Sequence, residues 1–151
     1  MLKLSKKLLF AIEAVLDIAY NAGSQPVQSR EITKRQGIPR RYLEQVLQQL
    51  VHADILTGVR GPKGGYRLAR ERRRISIGDI SRVVRNMETG ANPIEDPAGS
   101  ELGHKVVRPL WLELDTEVMK RLDAITIEDL CLRAHDARVD SEAHRKLDFS
   151  I

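Results

Sequence analysis

Apolar residues recur at three- and four-residue spacing near the start of the chain, at Leu8, Leu9, Ile12, Val15, Leu16 and Ala19. This is the single buried stripe of an amphipathic helix. Ser5 can cap its start, and Gly23 can stop it at about Ala22. After Ser24, Gln25 and Pro26, Ser29 is placed to cap a short helix from Arg30 to Gln36, with Ile32 facing inward and Gly37 as its left-handed end. Pro39 stands near the start of the next helix, where no amide hydrogen is needed. That helix gathers Tyr42, Leu43, Val46, Leu47, Leu50 and Val51 on one side and Arg40, Arg41, Glu44, Gln45 and Gln48 on the other.

The spacing then changes. A short apolar run from Asp54 to Thr57 leads to Arg60, to the turn residues Gly61, Pro62, Lys63, Gly64 and Gly65, and to the alternating run Tyr66 to Arg70. Proline pre-sets one turn torsion and the glycines supply conformations closed to other residues, so the pattern predicts a hairpin with a cationic tip. The run Arg70 to Arg74 closes it, as a solvated linker or as added phosphate contact. Ser76 with Asp79 forms a capping box in which Asp replaces Glu. It opens a helix carrying Ile77, Ile80, Val83 and Val84 and ending near Asn86.

Residues 88–104 are rich in Pro, Gly and carboxylates and read as a long loop. Beyond it Val107, Leu110, Leu114, Val118, Leu122 and Ile125 repeat at three or four, widened by Trp111 and Met119. So long an apolar-faced helix has little of its own domain left to cover, which predicts a dimer interface. Folding back on the first helix is the alternative. Thr126 and Asp129 cap a short last helix, Ile127 to Ala134, and residues 136–151 read as a flexible polar tail.

The fold expected is mainly α with a small β-wing: a winged helix-turn-helix over 1–87, the loop 88–104, a dimerisation helix and short terminal helix over 105–135, and the tail. A second helix after a tight Gly-containing turn usually enters the major groove. Its leading side chains would then face base edges: Arg bonds guanine, Gln adenine, and Glu the cytosine amino group. Glu44 can instead pair with Arg40 or Arg41.

Charge sharpens this picture. Residues 1–85 hold 17 Lys/Arg against 7 Asp/Glu, whereas residues 86–151 hold 8 against 14, so the excess of cations sits in the half that carries the hairpin. An anionic partner is implied for that half. No apolar run approaches the roughly 18 residues that would cross a bilayer. Lys3, Lys6 and Lys7 before an apolar stretch superficially suggest a signal peptide, but Glu13 and Asp17 interrupt the stretch. The chain reads as cytoplasmic, with no membrane partner. Cys131 is alone, so it supplies neither an internal disulfide nor a thiolate metal site. It reads as a small buried hydrophobe, with a thiol sensor as the alternative. The four histidines lack ligand spacing, and the Gly61–Gly65 stretch lacks the Gly-Lys-Ser/Thr ending of a nucleotide loop. No nucleophile–base pair or carboxylate dyad stands out, so the chain reads as neither an enzyme nor the holder of a metal or cofactor.

The strings KLSKKLLFAIEAVLDIA, RRYLEQVLQQL, VRGPKGGYRLAR, ISIGDI and LWLELDTEVMKRLDAITIEDL together resemble the Rrf-two (BadM-type) family of bacterial winged-helix transcription regulators, from Met1 to about Ala134. The resemblance implies a homodimer, formed by crossing long helices, that binds double-stranded DNA at a dyad-symmetric operator and acts as a repressor. It implies DNA contacts at Lys3, Ser5 and Lys6, at Arg40, Arg41, Tyr42, Glu44 and Gln45, and at Arg60, Lys63, Gly64 and Gly65. The dimer interface would use Val107, Leu110, Trp111, Leu114, Val118 and Leu122. Many members carry an iron–sulfur cluster on three loop cysteines and sometimes a nearby His. Here the loop has no cysteine, and Lys105 and Arg108 stand where the last cysteine and the His align. The chain is most similar to a cluster-free branch that controls cysteine and sulfur metabolism, in which the signal can come from a protein partner such as cysteine synthase. Two other readings have distinct signatures: a protein-interaction module using the winged helix as a scaffold, and a cofactor-dependent redox sensor.

Overall fold

The Ser5 hydroxyl accepts the Leu8 amide at 3.1 Å and starts helix α1, Lys6–Asn21. In this computed structural model, residues 5–88, 90 and 92–143 are described. The stripe of α1 buries Ala11, Ala14, Val15 and Ile18 completely. Its end differs from expectation. Gly23 is not left-handed, and Ala22 is extended. The Asn21 side chain closes the helix instead, donating to the Asp17 carbonyl at 3.0 Å and accepting the Glu142 amide at 3.0 Å.

Helix α2, Ser29–Gln36, is also capped differently: Gln28 is its N-cap and makes no side-chain cap bond, so Ser29 is already helical. Val27 explains the shift. It is bridged to Tyr66 through two backbone hydrogen bonds of 3.0 and 2.7 Å, which hold the chain extended up to Gln28. Gly37 ends α2 at φ 66°, as expected. Pro39 is the N-cap of α3, Arg40–His52, which buries Leu43, Val46, Leu47 and Leu50.

Strands β1, Leu56–Val59, and β2, Gly65–Leu68, pair antiparallel with Leu56 opposite Leu68 and Val59 opposite Gly65. Asp54, read as the start of the strand run, sits in the preceding turn at φ 58°. Gly65 has φ 155°, and a Cβ there would lie 2.4 Å from the Val27 carbonyl oxygen. The bridge from Val27 to the hairpin therefore demands glycine.

A 3₁₀ turn, Arg72–Arg74, leads to α4, Ile77–Met87, whose capping box of Ser76 and Asp79 is present as expected. The loop beyond it is shorter than expected. Helical structure resumes at Glu101, passes through a π-helical turn, Gly103–Val107, and continues as α5, Arg108–Asp123. Arg108 donates its amide to the Gly103 carbonyl, which closes the wider turn. The Thr126–Asp129 box opens α6, Ile127–Asp136. Backbone bonds from Ile77 to Ile125 and from Ile127 to Ile75, both 2.8 Å, dock the α5–α6 turn onto the start of α4.

The tail is anchored as far as it is described. Tyr20 donates its hydroxyl to the Val139 carbonyl, and Ser141 donates to the Tyr20 carbonyl at 2.7 Å. Residues 144–151 lie outside the described residues.

One polar link stands inside the core. The Asp17 side chain is fully buried and accepts Arg35 Nε at 2.9 Å, Arg35 Nη2 at 2.8 Å and Gln36 Nε2 at 2.8 Å. A bidentate guanidinium–carboxylate pair of this kind fixes orientation as well as energy. Removing one partner of a buried pair typically costs about 3–5 kcal/mol. Asp17→Ala should therefore lower the unfolding free energy by about 3 kcal/mol in urea denaturation, while Glu44→Ala, which breaks only an exposed pair, should change it by less than about 0.5 kcal/mol.

Candidate DNA-binding surface

Helices α2 and α3 form the helix-turn-helix, and the β1–β2 hairpin is the wing. Arg40 and Arg41 open α3 on its exposed side, followed by Glu44 and Gln45. Arg40 Nε lies 3.0 Å from Glu44 Oε1, so the carboxylate that the sequence offered for base reading or pairing is paired. The pair is highly exposed and open to exchange for a DNA partner.

Tyr42 has a second role. Its hydroxyl donates to the Lys7 carbonyl and its ring packs against Phe10, with centroids 6.0 Å apart. Burial, reinforced by the Glu88 carboxylate, pushes its pKa up to about 12. The tyrosine thus joins the start of α1, with Ser5 and Lys6, to the start of the recognition helix. The Ser5 hydroxyl is the α1 cap. Lys3 lies outside the described residues.

The wing tip turns at Gly61, φ 108°, with the Gly64 amide donating to the Gly61 carbonyl at 2.9 Å. Gly64 is buried, and a Cβ there would lie 2.2 Å from the Val59 carbonyl oxygen. Gly64 and Gly65 therefore shape the tip rather than offer a face of their own. Gln28 Nε2 donates to the Pro62 carbonyl at 3.4 Å, which sets the tip beside the start of α2.

Among the described residues, Lys6, Arg41, Arg60 and Lys63 form no ion pair. Arg30 and Lys34 on α2 share that state and were not singled out from the sequence, because a stripe pattern identifies the core face and is silent on the other. The Arg70–Arg74 run is largely committed within the chain. Arg72 pairs with Glu128 and Arg73 with Glu71, each at 2.6 Å, while Arg70 donates to the Asp54 carbonyl at 3.1 Å. Arg74, Arg121, Arg133 and Arg138 are likewise without an ion pair among the described residues, but those on α1, the helix-turn-helix and the wing tip sit on the elements that would meet a phosphate backbone.

The residues expected at a dimer interface separate into two groups. Val107, Leu110, Trp111 and Leu114 are exposed, Val107 at 58% and Leu110 at 52%. Leu122 instead packs against the chain's own core, and Val118 lines an intramolecular cavity of about 980 Å³ with it. Fold-back on the chain's own domain and an outward apolar face therefore coexist on one helix. Leu8, Ile94, Trp111 and the Arg85–Asp115 pair, bidentate at 3.1 and 2.8 Å, also border the cavity.

Arg108 organises the loop. Its guanidinium donates to the carbonyls of Ile94, Asp96 and Ala98 and contacts His104 Nδ1 at 3.0 Å. Among the described residues no three His, Cys, Asp or Glu side chains are placed to hold a metal ion. Cys131 is buried in α6, away from the loop. A cysteine-free loop wrapped around a guanidinium does not fit an iron–sulfur cluster, whose irons take thiolates and a few imidazoles. No helix among the described residues is long and apolar enough to cross a membrane.

A helix-turn-helix with a glycine-shaped wing and free cations on its outer side is a DNA-binding winged-helix regulator. The chain belongs to the Rrf2 family, described as iron-dependent transcriptional regulators, whose family model matches residues 4–133. It is 33% identical over 150 residues to the HTH-type transcriptional regulator IscR of Cronobacter sakazakii (strain ATCC BAA-894), covering 95% of this chain and 91% of that one. Among solved structures, T. potens IscR superposes with a TM-score of 0.73 at 33% identity, covering 93% of both chains. CymR, the global cysteine regulator of B. subtilis, superposes with a TM-score of 0.69 at 31% identity, covering 88% of this chain and 98% of that one.

Burial pushes the Cys131 thiol above its ordinary pKa, only partly opposed by the Arg72 guanidinium. The thiol therefore stays protonated and shielded near neutrality. Ellman's reagent at pH ~8 should label native Cys131 at least ~100-fold more slowly than the unfolded chain; rapid native labelling would show an exposed thiolate.

Proposed function

We propose that this chain is a homodimeric repressor that binds a dyad-symmetric operator without an iron–sulfur cluster and controls genes of cysteine and sulfur metabolism. The observation that supports the DNA-reading part is the placement of Arg41, Arg60 and Lys63, which form no ion pair among the described residues, on the exposed side of α3 and at the wing tip. Arg40, Arg41, Glu44 and Gln45 would meet base edges, with Lys3, Ser5, Lys6, Arg60 and Lys63 on the backbone and in the minor groove. The metabolic assignment rests on likeness to the cysteine regulator CymR and on the donor-poor loop. The signal then arrives through a protein partner, of which cysteine synthase is the one the family resemblance implies.

The dimer reading rests on α5. Val107 at the end of the π-turn and Leu110, Trp111 and Leu114 on α5 follow three- and four-residue spacing and are exposed, an apolar extent that monomers seldom leave uncovered. A second copy laying its own α5 across this face would cover it and space two recognition helices for a dyad.

Selection of bound sequences from a random DNA pool should enrich an inverted repeat; a pool that stays random would overturn the reading. Against the enriched site, Arg60→Ala and Lys63→Ala should each weaken binding about 3–10-fold for matched and scrambled DNA alike and reduce the salt slope by about 1. Glu44→Ala should instead relax the preference at one base pair per half-site, and equal losses on every sequence would remove the recognition-helix assignment. For the dimer, Leu110→Asp should convert the protein to a monomer in analytical ultracentrifugation while leaving the helical circular dichroism in place. Purification without oxygen should give colourless, iron-free protein that still binds its site.

A further inference from the structure

The loop that precedes α5 is closed by a pair of side chains whose chemistry allows only one protonation state. Arg108 is a donor at every nitrogen and accepts at none, so the contact of its Nη1 with His104 Nδ1 at 3.0 Å leaves a proton on that ring nitrogen no acceptor to face. The other nitrogen, Nε2, lies 3.1 Å from the Ala98 carbonyl oxygen, which can only accept. Both contacts select the neutral Nε2–H tautomer. Arg108 Nη2 donates to the same Ala98 carbonyl at 2.7 Å, so His104 and Arg108 grip one peptide from two sides. Gly99 sits beside them at φ 119°, and a Cβ there would lie 3.0 Å from Arg108 Nη2. The π-turn, a deviation common at functional sites, presents both side chains to the loop.

A second proton on the ring, taken from water and returned to it, turns Nδ1 into a donor facing a donor and places two cations in contact. Both changes oppose the closed loop. The other charged groups around the ring are Glu101 and Lys105 on its own helical stretch, which pair with each other at 2.6 Å, and Glu95 and Asp96 on the loop. Asp96 Oδ1 accepts the Ala98 amide at 2.9 Å. Arg85 and Glu88 on α4 border the cavity behind the loop. Among the described residues, the Arg108 guanidinium is the charged group in hydrogen-bond contact with the ring.

We propose that His104 and Arg108 form a proton-sensitive latch on the 92–100 loop, which opens when the ring takes a second proton and, in opening, weakens DNA binding. The route to DNA is short. Asn92, Pro93 and Ile94 wall the same cavity as Ser5 and Leu8 at the start of α1, and Tyr42 ties that start to the recognition helix. This second half of the proposal rests on the DNA-binding function above; the latch itself does not.

Nitrogen-15 NMR of the histidine rings in the full chain should show His104 protonated at Nε2 and bare at Nδ1 near neutral pH; the opposite tautomer would overturn the latch. Trp111, the only tryptophan, borders the same cavity and reports on the loop. Its fluorescence should change as the pH is lowered from neutrality in the wild type and stay flat in His104→Gln. A transition that persists in His104→Gln removes His104 as its cause. Operator affinity in gel-shift titrations should fall about 5-fold over the same transition in the wild type and not in the variant. An unchanged affinity across an intact fluorescence transition would sever the latch from DNA binding. Failure to bind any selected DNA at any pH, with the fluorescence transition intact, would sink the regulator reading and leave the latch standing.

Discussion

The reading head depends on one buried carboxylate. Asp17 sits toward the C-terminal end of α1, shut off from water, and holds Arg35 and Gln36 at the end of α2. Apolar packing brings α1, α2 and α3 together but is tolerant of small rotations, because dispersion contacts are numerous and individually weak. Three directed hydrogen bonds are not tolerant in that way. They fix α2 on α1, and Gly37 then launches the chain toward α3 in a left-handed turn. Tyr42 adds a second tie between α1 and α3 from the opposite end. The recognition helix is positioned by polar links at both of its approaches.

The cations show the same economy. An arginine whose guanidinium already holds a carboxylate or a carbonyl has less to offer a phosphate. Arg72 and Arg82 bind the wing root and α4 to the α5–α6 turn through Glu128 and Asp123, both at 2.6 Å. Arg60 and Lys63 at the tip and Arg41 on the exposed side of the recognition helix form no ion pair among the described residues. Arg82 and Arg41 look alike in a charge count and do opposite jobs, one fastening the frame and the other facing outward.

Much of the frame was legible in the sequence because it depends on local rules. The stripe of α1, the capping boxes at Ser76 and Thr126, the left-handed Gly37 and the paired turn glycines each need only a few neighbouring residues to specify them. The misses share a cause in long-range partners. Ser29 is passed over as a cap because Val27 is pinned to Tyr66, 39 residues downstream in number. Gly23 is not needed as a stop because Asn21 receives Glu142 from the far end of the chain. Glu101 begins a helix inside an apparent loop because Arg108 gathers the preceding carbonyls. Asp17 looked like an interruption of an apolar stretch and is its most constrained member. For the candidate site, residue types and spacing placed the helix-turn-helix and wing correctly, whereas the inward turn of Leu122 and Val118 needed the three-dimensional position of α4.

The π-turn at Gly103–Val107 works as a frameshift in helical phase. One residue more than an α-turn holds is taken up before Arg108, so the angular positions of all later side chains are offset by roughly 100° from those of Glu101 and Leu102. The two ends of what looks like one rod therefore obey different addresses: the stretch before the turn is phased to the loop, and the stretch after it to the core and the apolar face. A single-residue deletion within the turn would merge the two frames. The rod would be straighter and more regular, and it would aim either its loop-holding side chains or its apolar face in the wrong direction.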